Sequence, residues 1–197
     1  MIDENAKGVF TIAATPFLPN GALDFESLDR LIDTYIERGA SGLTILGMMG
    51  EAGKLSASES ISIIKRVTAR STVPVVVGVS SLGFAAMSAL SDEAMNLGAQ
   101  GVMVAPPTGL KTDAQIVSYF HNTAETLGDI PFVLQDFPLA TGVQISTSVI
   151  LKIIDDCPTC VMLKHEDWPG LEKISALRKA SDAGSRRISI LCGNGGM

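Results

Sequence analysis

Charge is the scarcest ingredient of this 197-residue chain. Only 18% of its residues are Asp, Glu, Lys or Arg, with 15 basic against 21 acidic and a formal net charge of −6. An acidic balance without any cluster of Lys and Arg argues against a nucleic-acid backbone as partner. Histidines number two, His121 and His165, and cysteines three, Cys157, Cys160 and Cys192. Three thiols make no even disulfide framework. Cys157 and Cys160 form a C-x-x-C, but a closed zinc site takes about four ligands. A thioredoxin-type motif opens a helix, whereas CPTC here runs into a strand-like segment. The expectation is therefore reduced, partly buried thiols in a cytoplasmic protein. No run of about 18 uncharged apolar residues occurs, which predicts no membrane span. The start, MIDENAKG, lacks a basic region followed by an apolar one, which predicts no secretory signal.

What the chain has in quantity is apolar material, 46% of its residues, ample for a packed core. It comes in short, Val- and Ile-rich runs at residues 8–17, 41–47, 74–80, 101–107, 131–138, 160–164 and 188–194. Continuous apolar runs of this length suit strands buried on both faces of a parallel sheet. Helical patterns lie between them. Leu28, Leu31, Ile32 and Tyr35 share one face of the first, which ends at Gly39. Ser56-x-x-Glu59 and Thr112-x-x-Gln115 read as capping boxes that open the second and fourth. Further helices are predicted over 84–98, 146–156 and 169–183.

Six β-α units and a seventh strand leave two architectures, a doubly wound sheet or a (β/α)₈ barrel. No G-x-G-x-x-G follows the first strand, and the even spacing favours the α/β class of the (β/α)₈ TIM barrel. Such a barrel takes eight strands and typically about 250 residues. The reading is a single barrel domain over 1–197 with strands one to seven present, and with strand eight and C-terminal helices expected beyond them.

In a (β/α)₈ barrel the C-terminal ends of the strands carry the active site. That rule selects Thr15, the loop Gly47-Met48-Met49-Gly50-Glu51, Ser80 and Ser81, Thr108, Gln135 and Asp136, Lys164 with Glu166, and Asn194. Thr15 either meets a substrate or holds its turn. The two glycines of the strand-two loop let backbone N–H groups approach a small anion such as a carboxylate, or the loop is an ordinary turn with Glu51 as a cap. Lys164 closes the apolar run Cys160–Leu163. A free lysine is neutral in only about one molecule in a few thousand at pH 7. An apolar surrounding favours the neutral amine, which can attack a carbonyl carbon and form a Schiff base. The alternative is a lysine salt-bridged to Glu166 or Asp167.

The G-x-x-G-E after strand two, the P-x-x-T-G at 138–142 and the strand-six lysine together resemble the dihydrodipicolinate synthase/N-acetylneuraminate lyase family. GVFTIAATPF and GVMVAPP add to that resemblance. It implies a class I aldolase-type lyase, usually a homotetramer, that binds pyruvate or another 2-oxo acid on Lys164 without metal or organic cofactor. It also implies substrate contacts from Gly47, Met48, Met49, Gly50, Glu51, Thr108 and Asn194, and assembly into a dimer or tetramer. The departures are equally informative. Met48 and Met49 stand where the family carries hydroxyls, Thr108 and Ala140 where it often has tyrosine and arginine, and Gln135 where its proton-relay tyrosine belongs. A glutamine cannot exchange a proton as a phenol does. Asp136, Glu166 or a water is expected to replace it, with Gln135 orienting substrate or water. Strand alternation turns Asp136 and His165 away from Lys164. His121 is expected to be peripheral and Trp168 to pack over the start of the following helix. Two other readings stand beside this one: a catalytically silent barrel that binds a metabolite, and a phosphate loop at GNGGM.

Overall fold

The computed structural model describes residues 1–193, in two compact units. The first is built on Lys7–Val79 and Ala89–Met103. It contains β1 (Phe10–Ile12), α1 (Phe25–Glu37), β2 (Gly42–Ile45), α2 (Ala57–Arg70), β3 (Val75–Gly78), most of α3 (Phe84–Asn96) and most of β4 (Gly101–Val104). Its strands pair in parallel, with Thr11 beside Leu43, Thr44 beside Val76 and Val77 beside Val102. All the residues of β2, β3 and β4 are buried, which explains why their sequence shows no polar alternation.

The first unit's helices form where their caps dictate. Ser27 donates its backbone N–H to Asp24 at the start of α1. The Ser56–Glu59 capping box is formed in both directions, at 3.2 and 2.9 Å. Leu28 and Ile32 of α1 and Ile63, Ile64 and Val67 of α2 are buried. On the outer side, Arg66 grips Asp29 with two bonds of 2.8 and 2.6 Å, and Arg70 pairs with Asp33. Each Arg holds its Asp carboxyl below the usual range.

The second unit runs from Val104 onward, with Ser80–Ser88 and Ile2–Ala6. Its elements are α4 (Asp113–Leu127), β5 (Phe132–Asp136), α5 (Pro138–Thr141), α6 (Thr147–Asp156), β6 (Cys160–His165), α7 (Leu171–Asp182) and β7 (Ser189–Cys192). Here β5, β6 and β7 pair in parallel. Thr112 and Gln115 cap α4 as read from the sequence. Phe120 on α4 stacks against Phe132 on β5, ring centroids 6.4 Å apart. Ile150, Ile153, Met162 and Leu163 complete this core.

Several expectations need correcting. The strands are shorter than the apolar runs; β1 stops at Ile12, and Thr15 holds the turn beyond it by donating to the Gly50 carbonyl at 2.7 Å. The four-residue α5 was not foreseen. Pro138 starts it, and Gly142 closes it by returning its N–H to the Pro138 carbonyl at 2.8 Å. Helix α7 begins at Leu171 rather than at Pro169, because Gly170 serves as its N-cap. Trp168 is 61% exposed. Cys192 is exposed, unlike Cys157 and Cys160.

Burial pushes the Cys160 thiol up to about 12, and it also raises Cys157 and Tyr119. A functional C-x-x-C needs lowered thiol pKa values, so these groups belong to the core. An unfolded thiol titrates near 8.5. Above that value the unfolded chain releases a proton that native Cys160 keeps, so stability falls as pH rises toward about 12, by up to about 1.4 kcal/mol per unit from this group. Cys160→Ala should flatten the alkaline decline of Tm between about pH 9 and 11, measured by calorimetry; an unchanged slope contradicts this assignment.

Candidate active site

Strands β5 and β6 lie in a register that places Gln135 beside Lys164 and Asp136 beside His165. Because side chains alternate along a strand, the two pairs occupy opposite faces. Glu166 lies one residue past β6, yet its backbone N–H still donates to the Asp136 carbonyl at 2.8 Å. The ladder therefore continues through Glu166, and its side chain falls on the face of Lys164, two residues back.

On that face a three-residue cluster forms. The Lys164 Nζ stands 2.8 Å from Glu166 Oε1, with both side chains 11% exposed. Gln135 donates through Nε2 to Glu166 Oε2 at 2.7 Å and is itself buried. The carboxylate thus accepts on both oxygens, from an ammonium on one side and an amide on the other. Of the alternatives read from the sequence for Lys164, the ion pair is formed, with Glu166 and not Asp167 as its partner. An ion pair this sheltered is held against its desolvation cost by its hydrogen bonds.

The opposite face, the side covered by α7, carries a second cluster. Asp136 is fully buried. Its Oδ2 accepts from His165 Nδ1 at 3.0 Å and from Lys173 Nζ of α7 at 2.9 Å. Lys173 also binds Asp167 Oδ2 at 2.7 Å, and His165 Nε2 lies 3.3 Å from the Gly170 carbonyl. These bonds clamp the segment 166–170 against α7. Asp136 and His165 do turn away from Lys164, as alternation required. Lys173 was missed by sequence reasoning, since nothing in a helix sequence says that a strand carboxylate waits beneath it.

The other predicted positions fall as follows. Thr108 is exposed in the turn after β4. His121 sits on the surface of α4 and contacts Asp156 at 2.9 Å. Asn194 and the rest of GNGGM lie outside the described residues. In the first unit, Gly47 and Gly50 are buried while Met48 and Met49 are 46% and 64% exposed. Leu46 and Glu51, flanking that stretch, both adopt left-handed backbone conformations at φ 53° and 56°, a strain of order 1–2 kcal/mol each. A Cβ at Gly78 would overlap the Leu46 carbonyl, so the strained peptide depends on a glycine at the end of β3. The Glu51 carboxylate is paired with Lys54 at 2.5 Å.

Strand–helix repeats with parallel strands define an α/β protein of the (β/α)₈ TIM-barrel class, of which the described residues hold seven strands. The chain belongs to the dihydrodipicolinate synthetase family, which it matches over residues 5–197. It is 32% identical over 191 residues to a 4-hydroxy-tetrahydrodipicolinate synthase from Sorangium cellulosum, an overlap of 95% of this chain and 62% of that protein. A homologue of the same name from Xanthomonas axonopodis is 31% identical over 202 residues, covering 97% and 66%. Among solved structures, a dihydrodipicolinate synthase from Rhodopseudomonas palustris superposes with a TM-score of 0.96 at 51% identity, covering 99% of this chain and 66% of that one. A prophage protein of the dihydrodipicolinic acid synthase family from E. coli K12, solved in complex with pyruvate, gives 0.83 at 26% identity, covering 94% and 63%. The chain therefore spans just under two thirds of these relatives.

The buried carboxylate of Asp136 neutralises Lys173 and holds His165, so its removal should be costly. Asp136→Ala is expected to lower unfolding free energy by about 3–5 kcal/mol, the range for stranding a buried charge. Urea denaturation measures this, and a loss under about 1 kcal/mol contradicts the buried role.

Proposed function

We propose that this protein is a lyase that forms a Schiff base between Lys164 and pyruvate or another 2-oxo acid. The observation that carries the reading is the sheltered Lys164 amine, 2.8 Å from the Glu166 carboxylate, on the face of β6 away from α7. A lysine nitrogen freed of its proton attacks C2 of the acid, and loss of water gives a protonated imine. That cation withdraws electrons from the adjacent carbons, easing aldol-type cleavage, condensation or dehydration. The pyruvate bound by the E. coli relative supports the choice of substrate class.

In this reading Gln135 orients the substrate or a water, and the backbone of Gly47, Met48, Met49, Gly50 and Glu51 receives the substrate carboxylate. Thr108 and Asn194 complete the substrate contacts, and neither metal nor organic cofactor takes part. The two units belong to one barrel domain that functions in the cytoplasm as a dimer or tetramer. No helix among the described residues is long and apolar enough to cross a membrane. Lysine-biosynthetic dihydrodipicolinate synthase activity fits poorly, because Gln135 cannot relay a proton as a phenol does.

A second reading, a silent barrel that binds a metabolite, draws on the same ion pair, since a lysine held by Glu166 needs no further task. Borohydride reduction separates the two. With pyruvate present, reduction should add a pyruvate-derived mass to Lys164 in the intact protein, and Lys164→Ala should abolish both the adduct and tight pyruvate binding. Saturable binding that survives Lys164→Ala, with no adduct in the wild type, favours the silent barrel.

A further inference from the structure

We infer that Glu166 is the proton-transfer residue of this site, filling the role for which Gln135 lacks the chemistry; the inference rests on the imine reading above. Two geometric facts select it. Of the ionisable side chains at the ends of β5 and β6, Asp136 and His165 occupy the α7 face, where Asp136 Oδ2 is engaged by His165 and Lys173. Glu166 shares the Lys164 face and touches the reacting nitrogen at 2.8 Å. It is also held there: Gln135 Nε2 fixes Oε2 at 2.7 Å, leaving Oε1 toward Lys164.

The second fact lies just past β7. A Cβ added at Gly193 would overlap Glu166 Cγ and come within 3.2 Å of its carboxyl carbon. The residue that follows β7 thus leaves a space that the Glu166 stem fills. A surface salt-bridge partner requires no such accommodation, whereas a group that must meet one atom at one distance does.

The proton balance closes with this residue alone. Glu166 takes a proton from the Lys164 ammonium, leaving a neutral amine. The nitrogen lone pair forms the bond to C2 of the 2-oxo acid, and the carbonyl π pair moves to oxygen. Two protons that began on nitrogen reach that oxygen by way of Glu166, the C–O bond breaks, and water departs as the protonated C=N forms. Glu166 is again a carboxylate and can accept a proton from C3. The C–H pair becomes the C2–C3 double bond of an enamine while the C=N π pair settles on nitrogen.

The last step gives a direct readout, exchange of pyruvate methyl protons for deuterium in heavy water, followed by NMR on the intact protein. Wild type should exchange them. Glu166→Gln should slow exchange by at least about 10²-fold, the usual worth of a positioned acid–base group, and should also slow borohydride trapping at Lys164, with the adduct still reached on long incubation. Added formate should restore exchange to Glu166→Ala in proportion to its concentration, which a merely structural residue does not allow. Gly193→Ala, which keeps Glu166 but displaces its stem, should slow exchange as well. Exchange in Glu166→Gln within about threefold of wild type, or a Glu166→Ala variant indifferent to formate, overturns the assignment while leaving the imine reading intact. Absence of any Lys164 adduct in the wild type overturns that reading itself.

Discussion

The end of β6 carries a polar side chain on each of its faces, and each has to be answered from the same short stretch of chain. Lys164 points one way and is met by Glu166; His165 points the other and is met by Asp136. Alternation makes this division unavoidable, because neighbours on a strand cannot share a face. The consequence is a strand whose front is free for chemistry while its back is fixed to α7. Lys173 draws Asp136 and Asp167 together, so the residues on either side of Glu166 are tied down. The carboxylate that meets the lysine stands on a rigid support, as a positioned catalytic group needs.

The beginning of β6 is secured by a different device. Arg186, ahead of β7, donates to the carbonyls of Ile154, Cys157 and Cys160, at 2.5, 3.0 and 2.8 Å. These are acceptors at the end of α6, at its C-cap, where a helix runs out of its own donors, and at the first residue of β6. One guanidinium, with five donors in a fixed fork, satisfies what would otherwise be a costly set of buried carbonyls. The C-x-x-C motif lies inside this turn, so its spacing reflects a helix-to-strand connection. Its thiols are core atoms.

Periodicity made the elements legible before any coordinates. The short Val- and Ile-rich runs of β2, β3 and β4 became strands buried along their whole length, and Ser56 and Thr112 cap helices where their sequence context said they would. Lys164 was legible for the same reason: a charge at the end of an apolar run cannot be incidental. The partnership of Glu166 with Lys164 follows from their spacing of two on a strand, provided the strand extends past His165, and only the backbone bond to Asp136 establishes that. Lys173 and Gly193 could not be read in this way. Each acts on a residue in another element, through a distance that depends on packing and not on local pattern. The start of α7 was set too early because Pro169 suggests a first helical position, whereas Gly170 is the N-cap.

In the proposed mechanism a carboxylate takes the place of a phenol, and Glu166 is ion-paired with Lys164 at 2.8 Å in the resting site. In that mechanism one proton crosses the 2.8 Å contact before the amine attacks a carbonyl carbon. Gln135 suits that arrangement, because a neutral amide can donate to Glu166 in its charged form without adding a charge of its own.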